Sequence, residues 1–296
     1  MIPEFLEEKL INQYGLELTN QIIEGYKKER NTSIRINNLK TTKEDVLIIL
    51  KENNINYQEI NWYENSLLLD VKEDIVKTLD IYNEGKIYLQ SLSSQLPPLF
   101  LEPKENEQIL DMTAAPGGKT TEIAALTNNG ALITAVEKNK IRSDRLKYNI
   151  EKQGAKKVSV LNVDSRKLDE FFMFDKILLD APCSGSGTLS KETINDFNED
   201  LLTRSIKFQK ELIEEAIKHL KVNGELIYST CSILKEENEE ILNYILKKNN
   251  NIEIIPLDLT KFNELPLLPS NINGTLCVTP TKEYEGFFVS KLKRIK

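Results

Sequence analysis

Five short apolar segments alternate with segments of helical periodicity between residues 108 and 231, and this alternation constrains the fold of the chain more than any other feature. The apolar segments are QILDMTA (108–114), ALITAVE (131–137), VSVLNVD (158–164), FDKILLDAP (174–182) and GELIYSTC (224–231). Strands that alternate with helices need crossover connections, so the pattern predicts an α/β fold with a doubly wound parallel sheet. The segment EGFFVSKLKR (285–294) predicts one further strand.

Each of the five apolar segments has a carboxylate or a thiol at or near its end. These residues are Asp111, Glu137, Asp164, Asp180 and Cys231. In open α/β sheets, ligands bind in the crevice outside the carboxyl ends of the strands. The sequence therefore predicts that these five side chains meet in one crevice.

The first eighty residues have a different pattern, which predicts a small α/β domain. SIRINNL (33–39) alternates as a strand, and Thr41 followed by Glu44 predicts a capping box before the helical segment VLIILKENN. The pattern changes after NEGKIYLQSLSSQLPP, so we place a boundary near residue 83. This gives a small N-terminal domain at residues 1–82 and a catalytic domain at residues 83–296.

The charge balance limits the kind of RNA contact that the chain can make. With 39 Lys and Arg against 46 Asp and Glu, the formal net charge is −7, which excludes a uniformly basic protein that coats nucleic acid. Basic residues do cluster locally in the N-terminal domain, at Lys27, Lys28, Arg30 and Arg35. They either contact the phosphates of RNA or form a solvated face.

Cysteine and histidine counts exclude several other classes of site. The three cysteines form no C-x-x-C pair, and an odd number argues against a disulfide framework, so we expect no metal. A hydrolase triad would depend on His219, which lies at the predicted end of a helix, where a structural role is the simpler interpretation. No apolar run approaches the ~18 residues needed to span a membrane, and the first residues lack the order of a signal peptide. We expect a cytoplasmic protein without membrane contact.

The loop after the first apolar segment, DMTAAPGGKT (111–120), predicts a site for a polar ligand. Gly117 and Gly118 allow close approach of the backbone, and a helix N-terminus presents free N–H groups. A P-loop is excluded because Thr113 stands where its first glycine is needed. Glu137 lies at the position from which a carboxylate binds a ribose diol, and Asp164 can accept an adenine amino group, although either could be an ordinary helix cap.

Two cysteines follow the fourth and fifth segments, in DAPCSGSG (180–187) and STCS (229–232). If those strands are neighbours, Cys183 and Cys231 face the same crevice, and two thiols without zinc ligands indicate covalent chemistry. The alternatives are two small buried residues or a disulfide. Pro182 and the glycines after Cys183 favour an exposed, constrained loop.

Taken together, DMTAAPGGKT, DAPCSGSG and YSTCS resemble the signature of the RNA cytosine-5 methyltransferases that use S-adenosylmethionine. The resemblance extends over nearly the whole chain, from IRINNLK to EGFFVSKLKR, and the short form is most similar to the archaeal transfer-RNA enzymes. It implies a class I methyltransferase fold, Rossmann-like, with a small N-terminal α/β domain that binds RNA.

The resemblance also implies roles for individual residues. Cys231 is the nucleophile that adds to C6 of cytosine, and Cys183 assists release of the product. Asp180 hydrogen-bonds N3 and N4 of the base, and Lys119 either lowers the thiol pKa or holds the base. Residues expected around the cofactor are Ala114, Ala115, Pro116, Gly117, Gly118, Lys119, Thr120, Glu137, Arg142, Asp164 and Asp180.

Three positions depart from the family pattern, and the first is Thr113, which stands where the family usually has Cys and implies a mild change of loop packing. The family has an Arg and a Pro after the position of Gly187, whereas here Lys191 is the basic residue of that segment, and we assign it to RNA contact. Cys277 takes a position that is usually basic in the family, and we interpret it as structural.

The expected function is methylation of C5 of cytosine in RNA, with transfer RNA as the expected substrate. Ribosomal RNA is the alternative within the class, because target choice depends on RNA shape. A non-catalytic RNA-binding module with a relict cofactor pocket is the alternative from another class.

Overall fold

The structure, a computed structural model, describes residues 2–296. In these residues the helices are α1 (Glu4–Lys27), α2 (Lys43–Glu52), α3 (Glu73–Thr78), α4 (Asp80–Asn83), α5 (Leu92–Leu101), α6 (Gly118–Leu126), α7 (Lys140–Gln153), α8 (Glu199–Lys218) and α9 (Glu239–Lys248). The strands that precede the large sheet are β1 (Thr32–Ile36), β2 (Tyr57–Glu59), β3 (Ser66–Leu69) and β4 (Ile87–Leu89). The strands of the large sheet are β5 (Gln108–Asp111), β6 (Leu132–Val136), β7 (Val158–Leu161), β8 (Phe174–Asp180), β9 (Leu220–Thr230), β10 (Ile252–Ile255), β11 (Leu267–Leu268), β12 (Leu276–Val278) and β13 (Phe287–Arg294).

The large sheet confirms the predicted α/β fold. Its strands run in the order β11-β12-β13-β9-β8-β5-β6-β7, with β10 paired to β13. The five predicted strands β5 to β9 are parallel neighbours, and β8 and β9 are adjacent as expected. The predicted final strand, β13, pairs antiparallel to β9, so the complete sheet is mixed rather than entirely parallel.

Helices cover both faces of this sheet because its central strands are apolar on both sides. In β8, Ile177 and Leu179 pack on the face that holds α1, α8 and α9, whereas Leu178 packs on the face that holds α5, α6 and α7. Successive side chains of a strand point to opposite faces, so one continuous apolar run supplies both layers. The result is a domain of three layers, in which the sheet lies between two layers of helices and the loops at its carboxyl edge lie outside these layers.

The small sheet has the order β2-β3-β1-β4 and is antiparallel throughout. It has its own core, in which Ile34 and Leu67 of the sheet pack with Val46 and Leu50 of α2. The strand predicted in SIRINNL is confirmed as β1.

The predicted capping box is wrong by one residue. Thr42, not Thr41, caps α2: its side chain accepts a hydrogen bond from the Asp45 N–H at 3.2 Å, and the Asp45 carboxylate accepts one from the Thr42 N–H. Both pairs satisfy the required spacing of three, and the helix begins after the second threonine.

Two elements lie on one side of the boundary predicted near residue 83 but pack with the part on the other side. β4, at Ile87–Leu89, pairs with β1 and completes the small sheet. The other is α1, whose Leu6, Leu10 and Tyr14 belong to the core of the large domain. The Tyr14 hydroxyl donates to the carbonyl of Ile233 at 2.5 Å. The division into residues 1–82 and 83–296 therefore stays a prediction, and packing joins the two parts closely.

None of the helices within residues 2–296 is both long enough and apolar enough to cross a membrane.

Candidate active site

The carboxyl edge of the large sheet carries two cavities that share a wall. The smaller has a volume of about 300 Å³ and the larger about 610 Å³. Residues that line both are Thr113, Ala115, Asp180 and Cys231. A group held in one cavity can therefore meet a group held in the other at the end of β8 and the start of the loop after β9.

The smaller cavity combines apolar surface with carboxylates. Val136, Phe208 and Leu212 supply apolar lining, and Glu137, Asp164 and Asp180 supply the acidic groups. Glu137 is 5% exposed, accepts a hydrogen bond from the Asn139 N–H at 2.7 Å and lies 3.5 Å from the Arg142 guanidinium. The structure thus brings the predicted cofactor residues Ala115, Glu137, Arg142, Asp164 and Asp180 together.

Asp164 is ionised in this setting. Hydrogen bonds from the Arg166 side chain, with one from the Arg166 N–H, lower the pKa of Asp164 to about 2 even though burial acts in the opposite direction. A carboxylate has about four acceptor positions, so Asp164 retains capacity to accept a hydrogen bond from a ligand.

The glycine-rich loop contributes to both cavities. Gly117, at φ +108°, caps α6 in a backbone conformation that favours glycine, and a β-carbon there would lie 2.9 Å from Leu146. Thr120 is buried and donates to Asp111 at 2.6 Å. Gly117 and Thr120 are not among the residues that line the two cavities, and they fix the conformation of the loop from its buried side. The loop residues expected around the cofactor that instead line the larger cavity are Ala114, Pro116, Gly118 and Lys119.

The larger cavity lies between the small sheet and the large one. Arg30 and Tyr88 line it from the N-terminal part, Arg145 lines it from α7, and Phe287 lines it from β13. Its floor carries Asp180 and Lys119 beside Cys231.

The two predicted thiols lie side by side. The sulfur atoms of Cys183 and Cys231 are 2.9 Å apart, and both cysteines are free and half-buried. The hydrogen bond with Cys231, followed by burial, raises the pKa of the Cys183 thiol well above its usual range. Either thiol can donate its hydrogen to the other sulfur, and the raised pKa favours the protonated form of Cys183.

Glu237 holds the Cys183 loop, a role that the sequence analysis missed. One carboxylate oxygen accepts from the Ser184 N–H at 2.7 Å and from Gln209 at 3.0 Å, and the other accepts from the Ser184 hydroxyl. Burial raises the pKa of Glu237, and the bonds from Ser184 lower it in part. Because Ser184 directly follows Cys183, this carboxylate fixes the backbone that carries the thiol.

Lys119 and Asp180 form an ion pair on the floor of the larger cavity. The Lys119 ammonium lies 2.7 Å from Asp180 and donates to the Ser94 hydroxyl at 2.8 Å, and Asp180 also accepts from Ser229 at 2.8 Å. Burial lowers the pKa of Lys119, but Asp180 outweighs it and the pKa is raised. Lys119 is therefore a fixed cation beside Cys231, and Ser94 and Ser229 are further site residues that sequence reasoning missed.

The prediction that Arg35 contacts RNA is wrong. Arg35 is 0% exposed, and its guanidinium pairs with Glu122 at 3.2 Å, with further hydrogen bonds to Gln90 and to the Gly118 carbonyl. A side chain enclosed in this way cannot reach a phosphate in solvent.

The other predicted RNA-binding residues are accessible. Lys27, Lys28 and Lys191 are exposed, and Arg30 is half-buried at the mouth of the larger cavity. A hydrogen bond from Lys27, then the charges of Lys28 and Lys191, lower the pKa of Glu24. Lys191 therefore lies near Lys27 and Lys28, although it is far from them in sequence.

His219 and Cys277 take the structural positions expected for them. His219 caps the end of α8, with Nδ1 2.8 Å from the Phe172 carbonyl, and Cys277 is buried beside Tyr14. Over residues 2–296 the structure brings together no group of three or more His, Cys, Asp or Glu that could hold a metal ion.

Comparisons with known families match nearly the whole chain. Residues 98–293 match the family described as 16S rRNA methyltransferase RsmB/F, and residues 2–75 match the ferredoxin-like domain of RsmF/B-like methyltransferases. The second match covers most of the small sheet together with α1.

Individual relatives give the same result. The chain is 35% identical over 98% of its length to the 25S rRNA (cytosine-C(5))-methyltransferase nop2 of Schizosaccharomyces pombe, of which it covers 50%. It is 34% identical over 89% of its length to the ribosomal RNA small subunit methyltransferase F of Shewanella piezotolerans, of which it covers 57%. The chain thus spans about half the length of these relatives.

A solved structure extends the comparison to the complete fold. The structure of a methyltransferase homologue protein from Pyrococcus horikoshii superposes with a TM-score of 0.86 at 30% identity, covering 99% of this chain and 95% of that one. The agreement includes the small domain and the class I methyltransferase sheet, so the fold class predicted from the sequence is confirmed. From the family match, the identities and this shared architecture, it follows that the chain belongs to the RsmB/F family of methyltransferases.

Proposed function

We propose that this protein methylates C5 of cytosine in RNA through a covalent bond between Cys231 and C6 of the base. The observation that carries the proposal is the position of the two thiols. Cys231 lies 2.9 Å from Cys183 and on the wall shared by the two cavities, one suited to a nucleoside cofactor and the other open to a larger substrate.

S-adenosylmethionine is the cofactor of this family, and the smaller cavity suits it. Glu137 offers a carboxylate for the ribose hydroxyls, Asp164 offers an acceptor for the adenine amino group, and Phe208 and Leu212 offer apolar surface for the base. When bound, the cofactor supplies an electrophilic methyl group.

Cys231 is needed because C5 of cytosine has to be activated before it can be methylated. C5 of cytosine is too weak a nucleophile to accept a methyl group directly, and addition of a thiolate at C6 makes C5 enamine-like. Asp180 and Lys119 lie beside Cys231 on the floor of the larger cavity, where a carboxylate can accept from N4 and an ammonium can offset negative charge on the ring.

Cys183 assists the last step of the reaction, in which the methylated base is released from Cys231. After methylation the C5 proton passes to a base from solvent, its bonding electrons restore the C5–C6 double bond, and the bond between C6 and the Cys231 sulfur breaks, which releases a thiolate. A protonated Cys183 that donates to this sulfur stabilises the departing thiolate, and it stabilises the attacking thiolate of Cys231 in the same way.

Ribosomal RNA is the substrate class that we propose. The named relatives act on ribosomal RNA, and the sequence similarity to them covers both the catalytic domain and the small domain. Transfer RNA, which the sequence favoured, becomes the second candidate.

The direct test is transfer of tritium from labelled S-adenosylmethionine to unmodified RNA. We expect label in ribosomal RNA transcripts, recovered as 5-methylcytidine after digestion, with less in transfer RNA transcripts. Label confined to transfer RNA would reverse the order of the two substrates. A protein that binds the cofactor and RNA but transfers no label to either would be a non-catalytic binding module.

The cofactor assignment predicts a loss of affinity on removal of Glu137. Glu137→Ala should weaken S-adenosylmethionine binding by about 1.5–3 kcal/mol, the usual range for a hydrogen bond to a charged group, or roughly 10- to 150-fold in Kd. Calorimetry measures this directly. Glu253→Ala, an exposed carboxylate on β10, is the control and should retain the parent's Kd. Unchanged affinity in folded Glu137→Ala would remove this residue from the site.

We also propose that Lys27, Lys28, Arg30 and Lys191 contact the RNA backbone around the target. A combined Lys27→Ala, Lys28→Ala and Arg30→Ala variant should bind RNA more weakly and with a flatter salt dependence, because each lost phosphate contact reduces the slope by about one. Filter binding across a salt series measures both quantities.

The control for this variant removes three lysines before β5 and β7, at the opposite edge of the sheet. They are Lys104, Lys156 and Lys157. If both triple variants bind RNA with the parent's affinity and slope, the N-terminal basic residues form only a solvated face.

A further inference from the structure

A buried polar cluster joins the small sheet to the first turns of α6. Its members are Arg35 on β1, Gln90 after β4 and Glu122 on α6. Arg35 and Glu122 are both 0% exposed, and Gln90 donates to the Glu122 carboxylate at 2.8 Å while accepting from Arg35 at 2.9 Å. Arg35 and Glu122 are closed off from solvent, while Gln90 also lines the larger cavity, so the two charged groups depend on one another and on Gln90 for hydrogen bonds.

Hydrogen bonds link the cluster to two residues that contact Lys119, namely Gly118 and Ser94. Arg35 donates to the Gly118 carbonyl at 2.7 Å, immediately before Lys119 in the chain. On the other side, Gln90 donates to the Ser94 carbonyl at 3.1 Å, and the Ser94 hydroxyl accepts from the Lys119 ammonium. Arg35 thus holds the residue before Lys119, and Gln90 holds the backbone of Ser94, whose hydroxyl accepts from the Lys119 ammonium.

A gain in folding stability does not by itself explain why these charged groups are buried. Burying an ion pair costs desolvation that the attraction between the charges often fails to offset, and apolar replacements of similar volume are commonly neutral or stabilising. Burial raises the pKa of Glu122 to about 7 despite the opposing effect of Arg35, which shows how unfavourable this environment is for a charge. Within residues 2–296 the Arg35 Nε and Glu122 Oε1 atoms find no hydrogen-bond partner, so the cluster is only partly satisfied, and the bonds that it does make fix the position of Gly118.

We propose that Arg35 and Glu122 are positioning residues that hold Lys119 against Asp180, so that the small domain sets the geometry of the catalytic floor. The inference rests on the proposed function and deepens it. It gives the small domain a role in catalysis besides any contact with RNA, because β1 supplies the guanidinium that fixes the first turn of α6.

The proposal predicts that disruption of the cluster impairs catalysis without weakening cofactor binding. Lys119 lies in the larger cavity, whereas Glu137 and Asp164 of the smaller cavity are held by Asn139 and Arg166. Loosening the cluster should therefore lower kcat and leave the KM for S-adenosylmethionine nearly unchanged. A misplacement of about 1 Å in an active site can cost 10²-fold in rate.

The test is the double variant Arg35→Met with Glu122→Leu, which removes both charges and keeps the volume. We expect a thermal midpoint near the parent's, kcat reduced roughly 10- to 100-fold and the KM for S-adenosylmethionine within about threefold. A crystal structure of the variant should show the Lys119 ammonium displaced from Asp180. Arg35→Lys, which keeps the charge but cannot make the same set of bonds, is the second variant and should show an intermediate kcat.

Lys176→Met is the matched control. Lys176 is a buried cation near the start of β8, where it donates to the carbonyls of Leu101 and Glu102. This variant should be less stable yet have the parent's kcat at a temperature where it is folded. Equal losses of kcat in the control and the double variant would mean that stability, not positioning, is responsible.

The crystallographic readout keeps the two proposals apart. If Lys119 remains within hydrogen-bond distance of Asp180 in the double variant, the inference is overturned whatever the activity. If Lys119 is displaced but the parent protein transfers no methyl group to RNA, the proposed function fails and the positioning role stands.

Discussion

Cys231→Ala is expected to abolish methyl transfer, with a loss of at least about 10⁴-fold in kcat, the scale seen when a covalent nucleophile is removed. Alanine has no group that can add to C6, so C5 never becomes reactive. The fold should persist because the Cys231 carbonyl, which accepts from the Gly187 N–H at 2.9 Å, is retained. Tritium transfer under single-turnover conditions measures the effect.

Cys277→Ala provides the control for this substitution. It removes a thiol that is buried beside Tyr14, among the core residues of the large domain. Activity near that of the parent is expected in this variant. If Cys231→Ala retained methylation while folded, Cys231 would not be the nucleophile.

Cys183→Ala should instead trap the reaction after the covalent bond has formed. The departing Cys231 sulfur loses the donor that lies 2.9 Å away, so the methylated base stays attached and a protein–RNA adduct accumulates. A denaturing gel with labelled RNA should show the adduct as a slow band that depends on S-adenosylmethionine. The Cys183 loop should keep its shape, because Glu237 holds it through Ser184.

The two thiol variants must give different results if the roles are correct. An adduct in Cys231→Ala, with none in Cys183→Ala, would exchange the roles of the two cysteines. The double variant, Cys183→Ala with Cys231→Ala, should form no adduct.

Local sequence was sufficient to predict the large sheet and the edge where the site lies. Each of β5 to β8 is a short strand with an apolar run that ends at or next to a polar residue, and the parallel arrangement follows from the helices between the strands. The prediction that Cys183 and Cys231 meet needed only the further assumption that β8 and β9 are neighbours.

Residues whose environment depends on distant segments were predicted less well. Arg35 appeared to continue a basic cluster because its partner, Glu122, lies 87 positions later in the chain. Nothing in the acidic segment KEENEE marks Glu237 as the residue that turns inward to Ser184. Lys119 was correctly placed on the glycine-rich loop, but the first turn of α6 directs it into the larger cavity.

The packing of α1 has a consequence for how the protein is made. The apolar side of this helix is covered by residues of the large domain, and Tyr14 bonds to a carbonyl 219 residues later. At the usual rate of about 5–20 residues per second, about 10–40 s of translation separate Tyr14 from Ile233. During synthesis, the apolar side of α1 therefore lacks these partners for that time, so a helix that is translated before the large sheet reaches its native contacts only after the sheet has been made.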